Sequence, residues 1–254
     1  MKDGKKIDDP TGAYTYNPQL FYKNRDPRFY ATIGYNGCVW PINGISNYHL
    51  WTYYAAGKSV ETKASSTGFY CRKAIDPNIP VSNVQYAGTD WIELRYAEVV
   101  LNLAESACGI NKLDEAYKGV EAIRKRAGIP AGSDGLYGLK PNMTRAEMFK
   151  AILDEREVEF AFEGKRFWDL RRWKLFESTL NGKSRTSLRI DLNTSLISAS
   201  QLAASRDTMN LYSMYTKYFT FTFKPLDTKY LISWQPNYYF FALPQQAINN
   251  DPKL

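Results

Sequence analysis

Hydrophobic positions recur at helical spacing only in the middle of the chain. Over residues 89–109, two apolar stripes follow the period of an α-helix, one beginning at Ile92 and the other at Leu94. A helix that is apolar on two sides packs between neighbouring elements rather than on a surface. Thr89 and Asp90 are both favoured N-cap residues, so the pattern predicts a helix that begins at one of them.

A second helix is predicted over residues 113–127, where one apolar stripe is followed by the helix-ending Gly128. A short turn joins it to the first helix, so the two helices run antiparallel. Ala104 and Ala116 are small enough to let them come close. The pair resembles a tetratricopeptide-type hairpin, although an array of such hairpins needs about three repeats.

A third helix is marked by a capping box, in which Thr144 is followed three residues later by Glu147. We predict that this helix continues to Glu163 and ends at Gly164, because glycine is the usual helix terminator. A fourth helix is predicted over residues 166–176. Together these helices form a predicted helical core.

The segments on both sides of this core lack sustained helical periodicity. Residues 1–88 are rich in Gly, Pro, Asn and Tyr, and we predict loops there with short strands at 29–33 and 68–73. Residues 177–254 are also predicted to be irregular. The polar, Ser/Thr-rich stretch at 181–210 is interpreted as a long excursion of the chain.

One further strand is predicted at residues 218–223, where aromatic residues alternate with Thr. The whole chain is expected to form a single domain over residues 1–254, with the helical core at 89–176. Its predicted fold class is mainly α. It would consist of tetratricopeptide-like helical hairpins of an α–α superhelix, with long irregular loops and a few short strands.

Composition narrows the classes of function. Hydrophobic residues make up 44% of the 254 residues, which is typical of a globular fold. The net charge is +7, but no recognition motif accompanies it, so we expect no nucleic-acid partner. Cys38, Cys71, Cys108 and the single His49 lack the spacing of metal ligands, so neither a metal nor a cofactor is expected. Cys108 is predicted to be a small buried hydrophobe.

The beginning of the chain leaves two interpretations open. It has no apolar segment of a signal peptide, and no stretch of the sequence approaches the length that spans a membrane. The protein is therefore either intracellular or a piece of a longer chain that has lost its natural start.

Five segments resemble, in the same order, the sequence motifs of the SusD/RagB family. The strongest match is the block at 152–173, which reproduces the family pattern almost without gaps. The others lie at 24–29, with its Asp-Pro-Arg-Phe element, and at 95–105, 121–128 and 243–254. The resemblance covers most of the chain and points to the carboxy-terminal portion of such a protein.

This resemblance implies a role in nutrient uptake. SusD/RagB proteins are non-catalytic lipoproteins at the external face of the cell outer membrane of Bacteroidetes, where they pass captured oligosaccharides to a TonB-dependent transporter. We therefore expect glycan binding without catalysis and a TonB-dependent transporter as partner. Membrane association would come only through an amino-terminal lipid anchor, which this sequence lacks.

The candidate ligand-binding residues lie in an aromatic loop between the first and second family-like motifs. Sugar rings stack their C–H faces on aromatic side chains and offer hydroxyl groups to polar ones. In the family, binding aromatics fall in this same stretch. The alternative is that these rings pack the loop onto the helices. The candidates are Tyr35, Trp40, Asn43, Tyr48, Trp51 and Tyr54.

The charged block at 155–173 also has two interpretations. The functional one is acid–base catalysis or a binding groove, and the structural one is a network of buried ion pairs and stacked rings that holds two helices together. The spacing of Glu155, Arg156 and Glu159 suits pairs within a helix, which favours the network. A glycosidase needs two carboxylates roughly 5–10 Å apart in a cleft, and no motif singles out such a pair. Two alternatives to glycan binding thus remain. The first is a protein-interaction module, in which the helices dock on the transporter without a ligand of their own. The second, a glycoside hydrolase, is less favoured.

Overall fold

The structure, a computed structural model, describes residues 1–251. The last residues of the fifth family-like motif, Pro252, Lys253 and Leu254, lie outside the described residues. The α-helices of the described part are α1 (Pro27–Thr32), α2 (Tyr96–Gly109), α3 (Leu113–Arg126), α4 (Arg145–Glu159), α5 (Lys165–Arg172), α6 (Phe176–Leu180), α7 (Ala199–Ser205), α8 (Leu211–Lys217) and α9 (Gln245–Asn250). Its strands are β1 (Ile33–Gly34), β2 (Cys38–Val39), β3 (His49–Leu50), β4 (Tyr54–Ala55), β5 (Lys58–Ser59), β6 (Tyr70–Cys71), β7 (Thr186–Leu192) and β8 (Phe219–Pro225).

The first of two hydrophobic cores, the helical core, is built by α2, α3 and α4. A Cβ added at Gly119 of α3 would lie 2.8 Å from the Cβ of Ala104 in α2, so only glycine permits this approach of the two helices. α4 begins at the predicted capping box of Thr144 and Glu147 and packs against both helices. Cys108 is fully buried among them, as predicted. The predicted fold class, mainly α with a tetratricopeptide-like hairpin and short strands, is confirmed.

The second core, the aromatic core, is assembled from both ends of the chain. A sheet with the strand order β5-β4-β7-β8 brings them together. β7 and β8 pair antiparallel along their whole length, and β4 pairs parallel to β7 through Tyr54 and Asp191. The buried residues of this core are Leu20, Phe21, Tyr22, Tyr35, Cys38, Leu50, Trp51, Tyr53, Leu188, Ile190, Leu192, Leu202, Met214, Tyr215 and Phe219.

The predicted strand at 29–33 is wrong, because this segment is mostly the short helix α1. The Asp26 carboxylate accepts a hydrogen bond from the backbone N–H of Arg28, and Pro27 occupies the first helical position. Both features start a helix. They outweigh the β-forming side chains that follow.

The predicted start of α2 at Thr89 or Asp90 is also wrong, since the helix begins at Tyr96. Arg95 has extended backbone angles, φ −134° and ψ 159°. Its guanidinium is held by carboxylates of the α4 region, at 2.6 Å from Glu159 and 2.7 Å from Glu163. These ion pairs fix the chain in an extended path before the helix.

Two other predicted helices are shorter than expected. α4 ends at Glu159 rather than Glu163, and the backbone then turns through the left-handed region at Phe162, with φ +64°, and Gly164, with φ +75°. The predicted helix at 166–176 is divided into α5 and α6 by Lys174, whose φ is +51°. Positive φ lies outside the right-handed helical region, so a residue in this conformation interrupts the helix.

The predicted polar excursion at 181–210 is wrong as well, because it contains β7 and α7. Leu188, Ile190 and Leu192 alternate along β7 and are buried in the aromatic core. α7 starts at a capping box formed by Ser198 and Gln201. Both signals are present in the sequence, but polar residues between the apolar ones obscured them.

Candidate functional site

A network of ion pairs, which we call the joint, connects the helical core to the segment that enters the aromatic core. The guanidinium of Arg28, on α1, lies 2.7 Å from a carboxylate oxygen of Glu155 and 3.0 Å from one of Glu159. Glu159 also pairs with Arg95 and Arg126, and Glu155 also pairs with an arginine of α3. Both carboxylates are buried. The first and fourth family-like motifs thus meet in one network.

The joint is unsuited to acid–base catalysis. Burial alone would raise the pKa of Glu159, but hydrogen bonds from Arg95, Arg126 and Arg28 outweigh it and hold that pKa below its ordinary value of 4.5. A general acid for glycoside cleavage needs the opposite shift, a pKa raised towards neutrality. The charged block therefore fits the structural interpretation.

The predicted aromatic loop contains a hairpin formed by β2 and β3. Its tip is a tight turn in which the N–H of Ile45 donates to the carbonyl of Ile42 at 3.0 Å. The two central residues, Asn43 and Gly44, have φ values of +54° and +73°. Positive φ at both positions defines a type I′ turn, for which Asn-Gly is the preferred pair. This signal could have identified the hairpin from the sequence.

Trp40 and Tyr48 lie opposite each other next to the paired strands. The N–H of Trp40 donates to the carbonyl of Tyr48 at 2.8 Å, which continues the register of Cys38 opposite Leu50. Residues opposed in an antiparallel pair share a face, so both rings project from the same side of the hairpin. Tyr48 is exposed and Trp40 is half-buried. We call Trp40, Tyr48 and the exposed Asn43 the hairpin surface.

The Trp40 ring is held in position by two neighbours, the backbone of Gly34 and the guanidinium of Arg72. A Cβ added at Gly34 of β1 would lie 2.9 Å from the ring, so the indole rests directly on this backbone. The guanidinium of Arg72 lies 6.0 Å from the ring centroid and donates to the carbonyl oxygens of Tyr30 and Val39. The indole is therefore held in place before any ligand arrives.

Two of the predicted site residues, Tyr35 and Trp51, are buried in the aromatic core. Tyr35 stacks on Tyr22 with ring centroids 5.6 Å apart, and burial raises its pKa. The indole N–H of Trp51 donates to Asp207 at 2.7 Å, and its ring stacks against His49. Their faces are occupied by protein, so these two rings follow the alternative interpretation, in which they pack the loop.

Tyr54 lies apart from the hairpin, on β4 of the four-stranded sheet. The guanidinium of Arg189 lies over its ring, 4.1 Å from the centroid, and also binds Asp191. Of the predicted site residues, the structure thus brings Trp40, Asn43 and Tyr48 together on one element. It places Tyr54 elsewhere.

A second aromatic surface was not identified from the sequence. It is a cleft of about 550 Å³ between α5 and the segment at 234–242, which we call the aromatic cleft. Phe240 is 74% exposed and Phe241 is 66% exposed. The run of aromatic residues near the carboxyl end was its only sequence signal.

The described residues contain neither a metal cluster nor a membrane-spanning helix. Within residues 1–251, no group of three His, Cys, Asp or Glu side chains is arranged to hold a metal ion. Over the same residues, no helix is both long enough and apolar enough to cross a membrane.

The sequence matches the profile of the SusD family over residues 1–254. Among curated proteins, it is similar to the SusD-like protein P2 of Formosa agariphila, with 36% identity over 95 residues. That match covers 37% of this chain and 19% of the relative.

Two solved structures from Bacteroides fragilis resemble this one over nearly its whole length. One is a SusD-like protein with a TM-score of 0.68 and 25% identity, covering 99% of this chain and 44% of that protein. The other is a SusD-like carbohydrate-binding protein with a TM-score of 0.62 and 26% identity, covering 100% and 45%. The chain therefore spans less than half the length of the structures it matches.

Proposed function

Because the chain belongs to the SusD family, we propose that it binds oligosaccharides at the hairpin surface without cleaving them. The observation that carries this proposal is the pair of Trp40 and Tyr48 on one face of the hairpin, with the polar Asn43 at its tip. Rings of this kind stack on sugar C–H faces, while a polar side chain nearby serves the hydroxyl groups.

Two further points support glycan binding. One of the matched structures is described as a carbohydrate-binding protein. The indole of Trp40 is positioned by Gly34 and Arg72 without any ligand, so little side-chain entropy is lost when a sugar stacks on it. The lowered pKa of Glu159 and the ion pairs of the joint support a role without acid–base catalysis.

We also propose that the bound oligosaccharide is passed to a TonB-dependent transporter at the external face of the outer membrane. The family resemblance supports this place of action. Delivery requires that binding be reversible, and a ligand held on an open hairpin can leave without any conformational change of the aromatic core.

A second candidate function is docking on the transporter without a ligand of the chain's own. One observation favours it. The outer side of α2 exposes an apolar stripe of Tyr96, Val99, Leu103 and Ile110, and Tyr96 is 80% exposed. Exposed apolar stripes of this length are typical of protein–protein contacts.

Isothermal titration of the chain with a panel of oligosaccharides tests the proposal. We expect Trp40→Ala to weaken binding roughly tenfold, about 1.4 kcal/mol, because a stacking face is lost. Trp91→Ala is the matched control, since Trp91 is 70% exposed and lies outside the hairpin. Equal affinity of the two variants would contradict the hairpin surface as the site. If no oligosaccharide binds but the transporter is captured, the docking function is favoured instead.

A further inference from the structure

The aromatic cleft combines exposed rings with an arginine that has no acidic partner. Among its lining residues, Phe240, Phe241 and Tyr238 expose their rings, and Arg171 and Asn237 supply polar groups. None of the eight described residues that line the cleft is acidic. The cleft therefore has an apolar surface and a positive charge, which Arg171 carries.

Arg171 differs from the other arginines of α5. Arg166 pairs with Glu157 at 3.0 Å, and Arg172 pairs with Asp169 at 2.8 Å. Arg171 forms no ion pair with any carboxylate of residues 1–251. Its guanidinium lies 3.6 Å from the ring centroid of Phe241 and donates one hydrogen bond, to the carbonyl of Tyr238 at 3.2 Å.

This geometry leaves most of the guanidinium donors available. A guanidinium carries five N–H groups in one plane, and stacking on a ring occupies its face but not its edge. The ring and the carbonyl therefore hold Arg171 in one orientation. The remaining N–H groups can bind a planar anion such as a carboxylate in a bidentate manner.

Trp234 supplies a rigid aromatic wall to the cleft. Its indole Nε1 is buried and has no hydrogen-bond partner within the described residues. The ring itself is fixed by stacking on Phe176, with centroids 3.9 Å apart.

We propose that the aromatic cleft binds an acidic sugar residue, with its ring stacked on the exposed aromatic side chains and its carboxylate paired with Arg171. This inference rests on the proposed function in one respect, that the ligand is an oligosaccharide. The cleft shares no residue with the hairpin surface, so the two sites are tested independently. A uronic acid satisfies both the rings and the guanidinium, whereas a neutral sugar leaves Arg171 without an anion.

The test is titration of the full chain with tetragalacturonic acid and with the same oligomer after reduction of its carboxyl groups. We expect the acidic probe to bind more tightly, and Arg171→Gln to weaken its binding about tenfold by removing the charge-assisted pair. Phe241→Ala should weaken both probes, because it removes a stacking face. Arg166→Gln is the matched control on the same helix, outside the cleft.

Several results would overturn the proposal. One is equal binding of the acidic and reduced probes, and another is equal affinity of the Arg171→Gln and Arg166→Gln variants for the acidic probe. If only Trp40→Ala weakens binding, the hairpin function stands and the cleft fails. If Phe241→Ala changes the oligomeric state but not sugar binding, the cleft is a protein contact. Absence of heat from both probes also refutes the acidic-sugar site, while the neutral panel still decides the hairpin function.

Discussion

The helical core and the aromatic core are stabilised by different kinds of contact. Only Phe160 is aromatic among the thirteen buried residues of the helical core, compared with seven of fifteen in the aromatic core. The helices satisfy their own backbone polar groups, so small side chains suffice to bring them together. The aromatic core combines strands and short helices with loop residues such as Tyr35, Trp51 and Tyr53, and the backbone of a loop needs partners outside its own segment.

Asn36 illustrates the second kind of contact. It is fully buried, its side-chain oxygen accepts from the N–H of Thr52 at 2.9 Å, and its carbonyl accepts from the hydroxyl of Tyr215 at 2.7 Å. No contact of this kind is needed inside a regular helix. A core that includes loops therefore depends also on single polar atoms, whereas a core made from helices depends on shape and volume.

The largest effect is expected at the joint between the cores. Glu159→Gln removes the buried carboxylate that Arg28, Arg95 and Arg126 share. Arg28 then keeps its pairs with Glu155 and Asp26, and Arg95 keeps its pair with Glu163. We expect the free energy of unfolding to fall by about 3 kcal/mol, the lower end of the range for removing one partner of a buried ion pair, because Arg28 and Arg95 keep other carboxylates. Urea denaturation measures this change.

The matched control for the joint is Glu157→Gln on the same helix. Glu157 is exposed and pairs only with Arg166 among the ion pairs found in residues 1–251. An exposed pair contributes about 0–1 kcal/mol. If the two variants lost equal stability, the joint would be no more than a surface network, and the cores would be held together by other contacts.

A smaller effect is expected within the aromatic core from Tyr215→Phe. The change keeps the ring but removes the hydroxyl that donates to Asn36, so a buried carbonyl loses its partner. We expect a loss of about 1–3 kcal/mol in the free energy of unfolding. Tyr86→Phe serves as control, because Tyr86 is 81% exposed and should change stability by less than about 0.5 kcal/mol. Similar values for both variants would show that the polar atom of Tyr215 is dispensable.

The smallest effect is expected from Gly119→Ala in the helical core. The new Cβ would lie 2.8 Å from the Cβ of Ala104, so α2 and α3 must move apart. Overpacking of this kind costs about 1–3 kcal/mol, and the better helix propensity of alanine offsets about 1 kcal/mol. Thermal denaturation should therefore show a modest net loss of stability.

Gly109→Ala provides the comparison for this prediction. A Cβ at Gly109 meets no atom within 4 Å in the described structure, so only the propensity gain remains. We expect this variant to be neutral or slightly more stable. A stabilised Gly119→Ala variant would mean that the helical core tolerates added volume and does not depend on the close approach of α2 and α3.

The helical core could be predicted from the sequence because its signals are local. The capping box at Thr144 and Glu147 fixed the start of α4, and the apolar stripes fixed α3 within one residue. The start of α2 was missed because it depends on Arg95 pairing with Glu159 and Glu163, which lie more than sixty residues away. No local pattern contains that information.

The candidate site was predicted less completely, for a related reason. Tyr and Trp have the same preference for a buried core and for a ligand-binding surface, so composition could not separate Tyr35 and Trp51 from Trp40 and Tyr48. The separation depends on residues from the other end of the chain, such as Asp207 beside Trp51. The Asn43-Gly44 turn was a usable local signal for the hairpin.

The hydrogen bond between Tyr215 and Asn36 joins residues that are 179 positions apart. Closing a flexible loop of that length costs about 4–5 kcal/mol in chain entropy. The helical core lies between these two residues in the sequence. When it folds, the flexible part of the chain that must be closed becomes shorter. The helices therefore lower the entropic cost of ordering the aromatic core. A substitution that loosens α2, α3 or α4 would raise this cost and weaken the hairpin surface from a distance along the chain.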